Sequence, residues 1–411
     1  MPIRAGGSHL IYLDHNATTP VAKEVVEALV PCLETNFGNP SSSHELGRRA
    51  KAALDAARAQ VGSLVGAPTS SILFLSGGTE SINYVLKGLV SSKPHQRHIV
   101  TSVVEHIAVL ATCRFLEEAH GFEVTYVPVD ADGLVSAAAV AAAVRASTCL
   151  VTIMHANNEV GSIQPLAAIS AAVRAQHSAL CTTGDNGHLQ YDPILIHSDA
   201  SQSVGKIPVL VDVLGVDFLT IAGHKVYAPK GNMTFLCCTF SSGTRALVKF
   251  MHGAAHEQNL RAGTENIPFA VALGTACELA QHSLATGLSQ SLLSLRRQLL
   301  TSLTSLLATV PVKVNGPADV TKLLPNTLSI SFQGVSANEL LHMIEDRVAA
   351  SAGSACHSHA TTVSYVLEAM QVPVEFALGT LRLTVGKDTT PEDVECAAVV
   401  IAQGVQTLRQ R

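Results

Sequence analysis

The chain has 411 residues, 47% of them hydrophobic and 14% charged, with no Trp and a formal net charge of −5. That length and apolar content bury a large core, expected to split into about two domains. The absence of a basic block argues against a nucleic-acid partner, and polar residues interrupt every apolar stretch before it reaches membrane-spanning length.

The N-terminal Met-Pro-Ile-Arg-Ala-Gly-Gly-Ser has no apolar h-region. It reads as neither a signal nor a transit peptide, so a cytoplasmic protein is expected. The 9 cysteines stand singly apart from Cys237-Cys238, with no C-x-x-C pair. They are expected to be reduced and mostly buried, and their spacing suggests no metal site.

Leu10 to Leu13 reads as a short strand, followed by the turn Asp14-His15-Asn16-Ala17-Thr18-Thr19-Pro20 and a helix near Val21–Leu33. Phe37-Gly38-Asn39-Pro40 is dense in turn formers, where an amide could face a ligand. Glu45 to Val65 reads as a long helix stopped by Gly66. Ile72-Leu73-Phe74-Leu75 then reads as a strand, followed at once by Ser76-Gly77-Gly78-Thr79-Glu80 and a helix over Ser81–Leu89. A strand, a glycine turn and a helix N-terminus together make an anion site. Without a Walker lysine or a G-x-G-x-x-G, it is not a nucleotide loop of either usual kind.

His98 to Thr101 is a further strand, leading to Val104-Glu105-His106, where a histidine could stack on an aromatic cofactor and shuttle protons. Strands at Glu123–Pro128 and Cys149–Met154 flank an alanine-rich helix near Ser136–Arg145, and His155-Ala156-Asn157-Asn158-Glu159 follows. The unperiodic region from Gln176 to Pro193 reads as a surface insertion. Ile194-Leu195-Ile196 and Phe218 to Ala222 are apolar runs bounded by turns, which places Asp199 and Gly223-His224-Lys225 just past two strand ends. That edge of an open α/β sheet is where ligands bind. An acid beside a post-strand lysine is ordinarily a helix cap and a solvated turn residue. The same pair also suits pyridoxal phosphate (PLP), which needs a lysine for its Schiff base and a carboxylate at its ring nitrogen.

Beyond Gly253 come a loop ending near Thr264, helices at Phe269–Leu284 and Leu288–Leu307, and strands near Leu328–Phe332 and Leu381–Thr384. Between those strands, Ser351-Ala352-Gly353-Ser354-Ala355-Cys356-His357-Ser358-His359 surrounds one thiol with small residues and two histidines, which could lower its pKa.

In this order the motifs resemble the class V, aspartate-aminotransferase-fold PLP enzymes that remove sulfur or selenium from cysteine or selenocysteine. The likeness runs from Tyr12 through Gly386. It implies a large domain over 15–265 on a mainly parallel seven-stranded sheet, and a small α/β domain of 1–14 with 266–411. It also implies PLP on Lys225, Asp199 at the pyridinium nitrogen, Gln202 on the ring hydroxyl and His106 stacked on the ring. Gly78, Thr79 and His224 would bind the phosphate, with Thr264 reaching it from the second subunit of a homodimer. Asn158 would lie by the ring, Arg382 and Asn39 would hold the substrate carboxylate, and Cys356 would meet the departing chalcogen. A non-catalytic homologue would lack Lys225, Asp199 or Cys356, and all three are present.

Two activities compete within the resemblance: selenocysteine lyase, and cysteine desulfurase leaving a persulfide on Cys356 and supplying a sulfur acceptor protein. Cys356-His357-Ser358, the insertion before Pro193, Ala222 in place of a phosphate-binding serine, and a chain ending at Arg411 favour the lyase, acting on L-selenocysteine. The spacing from Cys356 to Ser364-Tyr365-Val366-Leu367 favours the desulfurase, acting on L-cysteine. The lyase is the expectation carried forward.

Overall fold

Apolar runs such as Ile72-Leu73-Phe74-Leu75 and Phe218-Leu219-Thr220-Ile221-Ala222 form strands buried along their whole length, as a sheet covered on both faces requires. The computed structural model describes residues 3–5, 8–181, 191–231, 233–237, 247–353 and 363–410. Its strands are β1 (Ile3–Ala5), β2 (Ser8–Tyr12), β3 (Ile72–Leu75), β4 (His98–Ser102), β5 (Glu123–Val127), β6 (Thr148–Thr152), β7 (Leu195–Asp199), β8 (Phe218–Ala222), β9 (Met233–Cys237), β10 (Val312–Asn315), β11 (Thr327–Phe332), β12 (Val348–Ala349) and β13 (Thr380–Thr384). Its helices are α1 (Lys23–Glu34), α2 (Glu45–Val65), α3 (Gly78–Ser92), α4 (Ile107–His120), α5 (Ala137–Ala142), α6 (Leu166–Leu180), α7 (Val211–Leu214), α8 (His256–Asn259), α9 (Ile267–Ala285), α10 (Leu288–Leu306), α11 (Ala337–Ile344), α12 (Tyr365–Ala369), α13 (Val374–Ala377) and α14 (Pro391–Arg409).

A 7-stranded sheet has the order β3-β9-β8-β7-β6-β4-β5. Only β9 runs against its neighbours β3 and β8; the other pairs are parallel. The expected mainly parallel sheet is therefore present. Side chains alternate across it: Ile99 and Leu195 enter one core with Val85 and Val109, while Val100 and Ile196 enter the other with Leu54, Val173 and Leu273. This is the period-two pattern of a sheet clad on both faces. A separate core joins β10, β11 and β13 to α10, α11 and α14, and takes in Ile11 and Leu13 from the N-terminal segment. No helix among the described residues is long and apolar enough to cross a membrane.

Helix ends follow the local chemistry. Gly66 ends α2 at φ 70°, and Thr390 and Asp393 form a capping box at the start of α14. The segment from Gln176 departs from expectation. α6 continues through Leu180 because His177 stays buried on the face that already carries Val173; residues 182–190 lie outside the described chain.

Helices α2 and α9 meet through Gly274, where an added Cβ would lie 2.7 Å from the Ala57 Cα. Backbone cannot yield as a side chain does. Gly274→Leu is therefore expected to cost about 1–3 kcal/mol through overpacking, read as a lower urea midpoint at an unchanged slope.

Candidate active site

Since β9 opposes both β3 and β8, strands β3, β4, β6, β7 and β8 all finish on one edge of the sheet. Each delivers polar residues there. β7 ends on Asp199 itself, which therefore closes the strand instead of following it; this carboxylate is 8% exposed and its Oδ1 accepts from the Ser201 N–H at 2.9 Å. β8 passes into the single turn Gly223–Lys225, which presents His224 and Lys225. β6 leads to the buried stretch from His155 to Glu159, and β4 leads to His106 at the start of α4. β3 passes through Ser76-Gly77 into α3, whose N-terminus has no side-chain cap. A Cβ built on Gly77 would meet nothing within 4 Å, so space stays open beside those N–H groups.

The electrostatics tie these ends together. Burial lowers the His106 pKa, the Asp199 carboxylate opposes that and the Lys225 ammonium adds to it. His106 Nδ1 accepts from the Ala108 N–H at 3.1 Å, so the neutral ring carries its proton on Nε2. Burial, followed by Lys225, Lys230 and Lys206, brings His224 down to about 4. Lys206 is pushed down to about 7 by burial and then by Lys225 and Arg382. Beneath His106, burial raises Glu105 to about 8, although its carboxyl accepts from Ser102 Oγ at 2.7 Å and the Met154 N–H at 2.9 Å.

The N-terminal turn lies against the lysine turn. Thr19 N–H donates to the His224 carbonyl at 2.8 Å, and Gln202 Nε2 donates to the Asn16 carbonyl at 3.0 Å. Asn16 Nδ2 in turn donates to Thr327 Oγ1 at 2.9 Å and the Asn158 carbonyl at 3.3 Å. Arg382, from β13, donates to that same Asn158 carbonyl at 3.1 Å and to Asp14 Oδ1 at 2.8 Å. Asn158 Oδ1 and Arg382 Nε are buried there without a hydrogen-bond partner among the described residues. Two residues after Lys225, Tyr227 holds φ 68°, a strained value for a bulky residue. Bonds from its N–H to Thr19 Oγ1 and from the Lys387 N–H to its hydroxyl fix it, as strain near a functional site requires.

The structure thus groups Gly78, Thr79, His106, Asn158, Asp199, Gln202, His224, Lys225 and Arg382 around the strand-end edge and the N-terminal turn that crosses it. Asn39 is elsewhere engaged: it is exposed and its side chain closes its own turn, accepting from the Ser41 N–H at 2.9 Å. Thr264 is exposed on the loop before α9. Cys356 lies outside the described residues. Two buried groups join the site without an expected role, Glu105 and Lys206. Lys206 follows Gln202 by four residues, the only trace that the sequence carries of their contact.

Below the edge, His197 lies between two threonines, 2.8 Å from Thr152 Oγ1 and 3.0 Å from Thr220 Oγ1. Burial holds it down at about 4, against an ordinary 6.5. The unfolded chain then binds the extra proton between pH 6.5 and 4, so His197 withdraws stability as pH falls through that window and contributes nothing above it. Glu105 acts in the opposite sense, giving stability below 4.5 that fades as pH rises towards 8. His197→Gln is expected to remove about 3 kcal/mol of the acid-side loss. The check is denaturant unfolding of both proteins from pH 7 to 4, where a parallel pH dependence contradicts this assignment.

The donor set fits PLP. A buried carboxylate and a lysine both act on His106, free N–H groups line open space at a helix start, and an amide NH2 and a guanidinium N–H point into the same network. Comparison with known proteins agrees. A family model described as Aminotransferase class-V matches residues 11–396. A cysteine desulfurase IscS of Dictyoglomus turgidum is 41% identical over 97% of this chain and 95% of its own, and one of Methanosarcina thermophila is 39% identical over 97% and 93%. Among solved structures, a NifS-like protein superposes with a TM-score of 0.84 at 32% identity, covering 98% of this chain and 100% of its own. A structure titled SspA in complex with cysteine gives a TM-score of 0.73 at 33% identity, covering 91% and 98%.

These findings overturn the selenocysteine lyase expectation, since the relatives matched along almost the entire chain carry the desulfurase name. The features that suggested the lyase were local. Two of them fall in 182–190 and 354–362, outside the described residues, and loop residues vary more freely than the scaffold that carries them. The scaffold, the grouped donors and the full-length match lead to one assignment: the chain belongs to the class-V aminotransferase family of PLP-dependent enzymes.

Proposed function

We propose that this protein is a cysteine desulfurase, converting L-cysteine to L-alanine and retaining the sulfur as a persulfide on Cys356 before passing it to an acceptor protein. The observation that carries this reading is the 41% identity to a cysteine desulfurase over 97% of the chain. The solved relative in complex with cysteine supports the same substrate.

In this reading Lys225 holds the cofactor, and Gly78, Thr79 and His224 take its phosphate at the start of α3, joined by Thr264 from a second copy in a homodimer. Asp199 keeps a proton on the ring nitrogen, Gln202 donates through Nε2 to the ring hydroxyl oxygen, and His106 and Asn158 lie against the ring. The bound cofactor supplies an electron sink for substrate Cα. Lys225 has to release its proton to act, and the ammonium of Lys206 near it opposes its protonated form. Arg382 offers its unpartnered Nε to the substrate carboxylate, with Asn39 moving in from its own turn. Cys356 receives the sulfur as the Cβ–S bond breaks.

The test is a single turnover without reductant, followed by mass analysis of the Cys356 peptide. Wild type is expected to retain one sulfur there; Cys356→Ser is expected to retain none and to lose about 10³-fold in turnover. Sulfur retained on another cysteine, or full turnover in the variant, overturns the role given to Cys356.

A further inference from the structure

Lys206 is a buried cation whose contacts with Gln202 none of these roles uses. It is 7% exposed, and its ammonium donates to the Gln202 carbonyl at 2.9 Å and to Gln202 Oε1 at 3.2 Å. An ammonium can only donate, so it fixes which end of the Gln202 amide is the oxygen. The NH2 end is thereby turned away, and it donates to the Asn16 carbonyl at 3.0 Å. Gly205, at φ 77°, brings this turn against the lysine turn: an added Cβ would lie 2.9 Å from Val226 Cγ1.

The charged and titratable groups that face Lys206 are Lys225, Arg382, His15 and His224. Arg382 already pairs with Asp14, and no carboxylate within ion-pair distance of Lys206 is found among the described residues. A buried ammonium that has only amide acceptors and cationic neighbours is costly to maintain. An anionic oxygen entering beside Gln202 would offset that cost.

We propose that Lys206 is a positioning residue for the cofactor: it locks the Gln202 amide so that NH2 meets the cofactor's ring hydroxyl oxygen, and its charge acts on the cofactor-bound Lys225 nitrogen. This rests on the reading of Lys225 and Gln202 given above. Both effects favour the ionised ring oxygen and disfavour a protonated Lys225 nitrogen. Removing Lys206 therefore moves the titration of the lysine-bound cofactor upward.

The experiment is a pH titration of the absorbance of the lysine-bound cofactor in holoprotein, for wild type, Lys206→Met and Lys206→Arg. Lys206→Met is expected to raise the midpoint by about one pH unit, a tenfold change in the equilibrium. Lys206→Arg keeps the charge and is expected to move it less. A Lys206→Met midpoint equal to wild type, with cofactor bound, overturns the proposal. Should Lys206→Met not fold, Lys206→Gln keeps a polar donor without the charge: an upward shift supports the proposal and an unmoved midpoint overturns it. Wild type that has the band yet yields no alanine from cysteine fails the desulfurase reading alone. Wild type without the band overturns the Lys225 reading and this one with it.

Discussion

Lys225→Ala is expected to lower kcat for alanine formation by at least about 10³-fold while leaving the fold intact. The lysine lies on a single turn just beyond β8, half-buried and outside the strand ladder. Its removal opens no core cavity and breaks no strand pairing. It also takes one cation from a neighbourhood that contains Lys206 and His224, so the apoprotein is expected to melt no lower than wild type. What is lost is the covalent hold on the cofactor and the amine that exchanges protons at the reacting carbon. Stopped-flow and steady-state assays, with circular dichroism as the fold control, check this. A variant within tenfold of wild-type kcat contradicts the assignment.

The second large effect concerns stability. Glu257 and Arg58 form a bidentate buried pair, with Nη1 2.8 Å from Oε2 and Nη2 on Oε1. Glu257 Oε2 also accepts from the Phe74 N–H at 2.9 Å, and Arg58 Nη1 donates to the Ile72 carbonyl at 2.7 Å. The pair thus clamps β3 at Ile72 and Phe74, in the strand that leads into α3. Glu257 holds φ 48°, followed by Gln258 at 57° and Asn259 at 61°, a run that these bonds help to hold in place. Glu257→Ala leaves the guanidinium buried and uncompensated, and is expected to cost about 3–5 kcal/mol. Replacing both residues together, Arg58→Met with Glu257→Leu, removes the stranded charge and is expected to recover most of that loss. Urea unfolding of the single and double variants decides. A double variant as unstable as Glu257→Ala shows that the pair matters through something other than its charge.

These two cases also mark what a sequence can disclose. Lys225 was legible because its neighbours are local: an apolar run, a glycine, then the lysine, with Asp199 announced the same way one strand earlier. The glycine turn between β3 and α3 was legible for the same reason. Glu257 was not, because its partner Arg58 is 199 positions away in the chain and nothing in Gly253-Ala254-Ala255-His256-Glu257 marks a buried carboxylate. Lys206 reads as an ordinary solvated lysine before Ile207-Pro208; only the packing of the turn against Val226 buries it. Glu105 was overlooked because burial alone separates a structural acid from a surface one. The choice between sulfur and selenium failed for a different reason. It rested on a few loop residues, whose chemistry discriminates weakly, against a likeness spread along the whole scaffold.

The most direct test of the account is the reaction of the purified holoprotein with L-cysteine in the presence of a thiol reductant, scoring alanine and sulfide together. Equimolar alanine and sulfide, with both lost in Lys225→Ala, is the predicted result. Cofactor bound to the protein, with cysteine left unconsumed, would contradict the proposed desulfurase function.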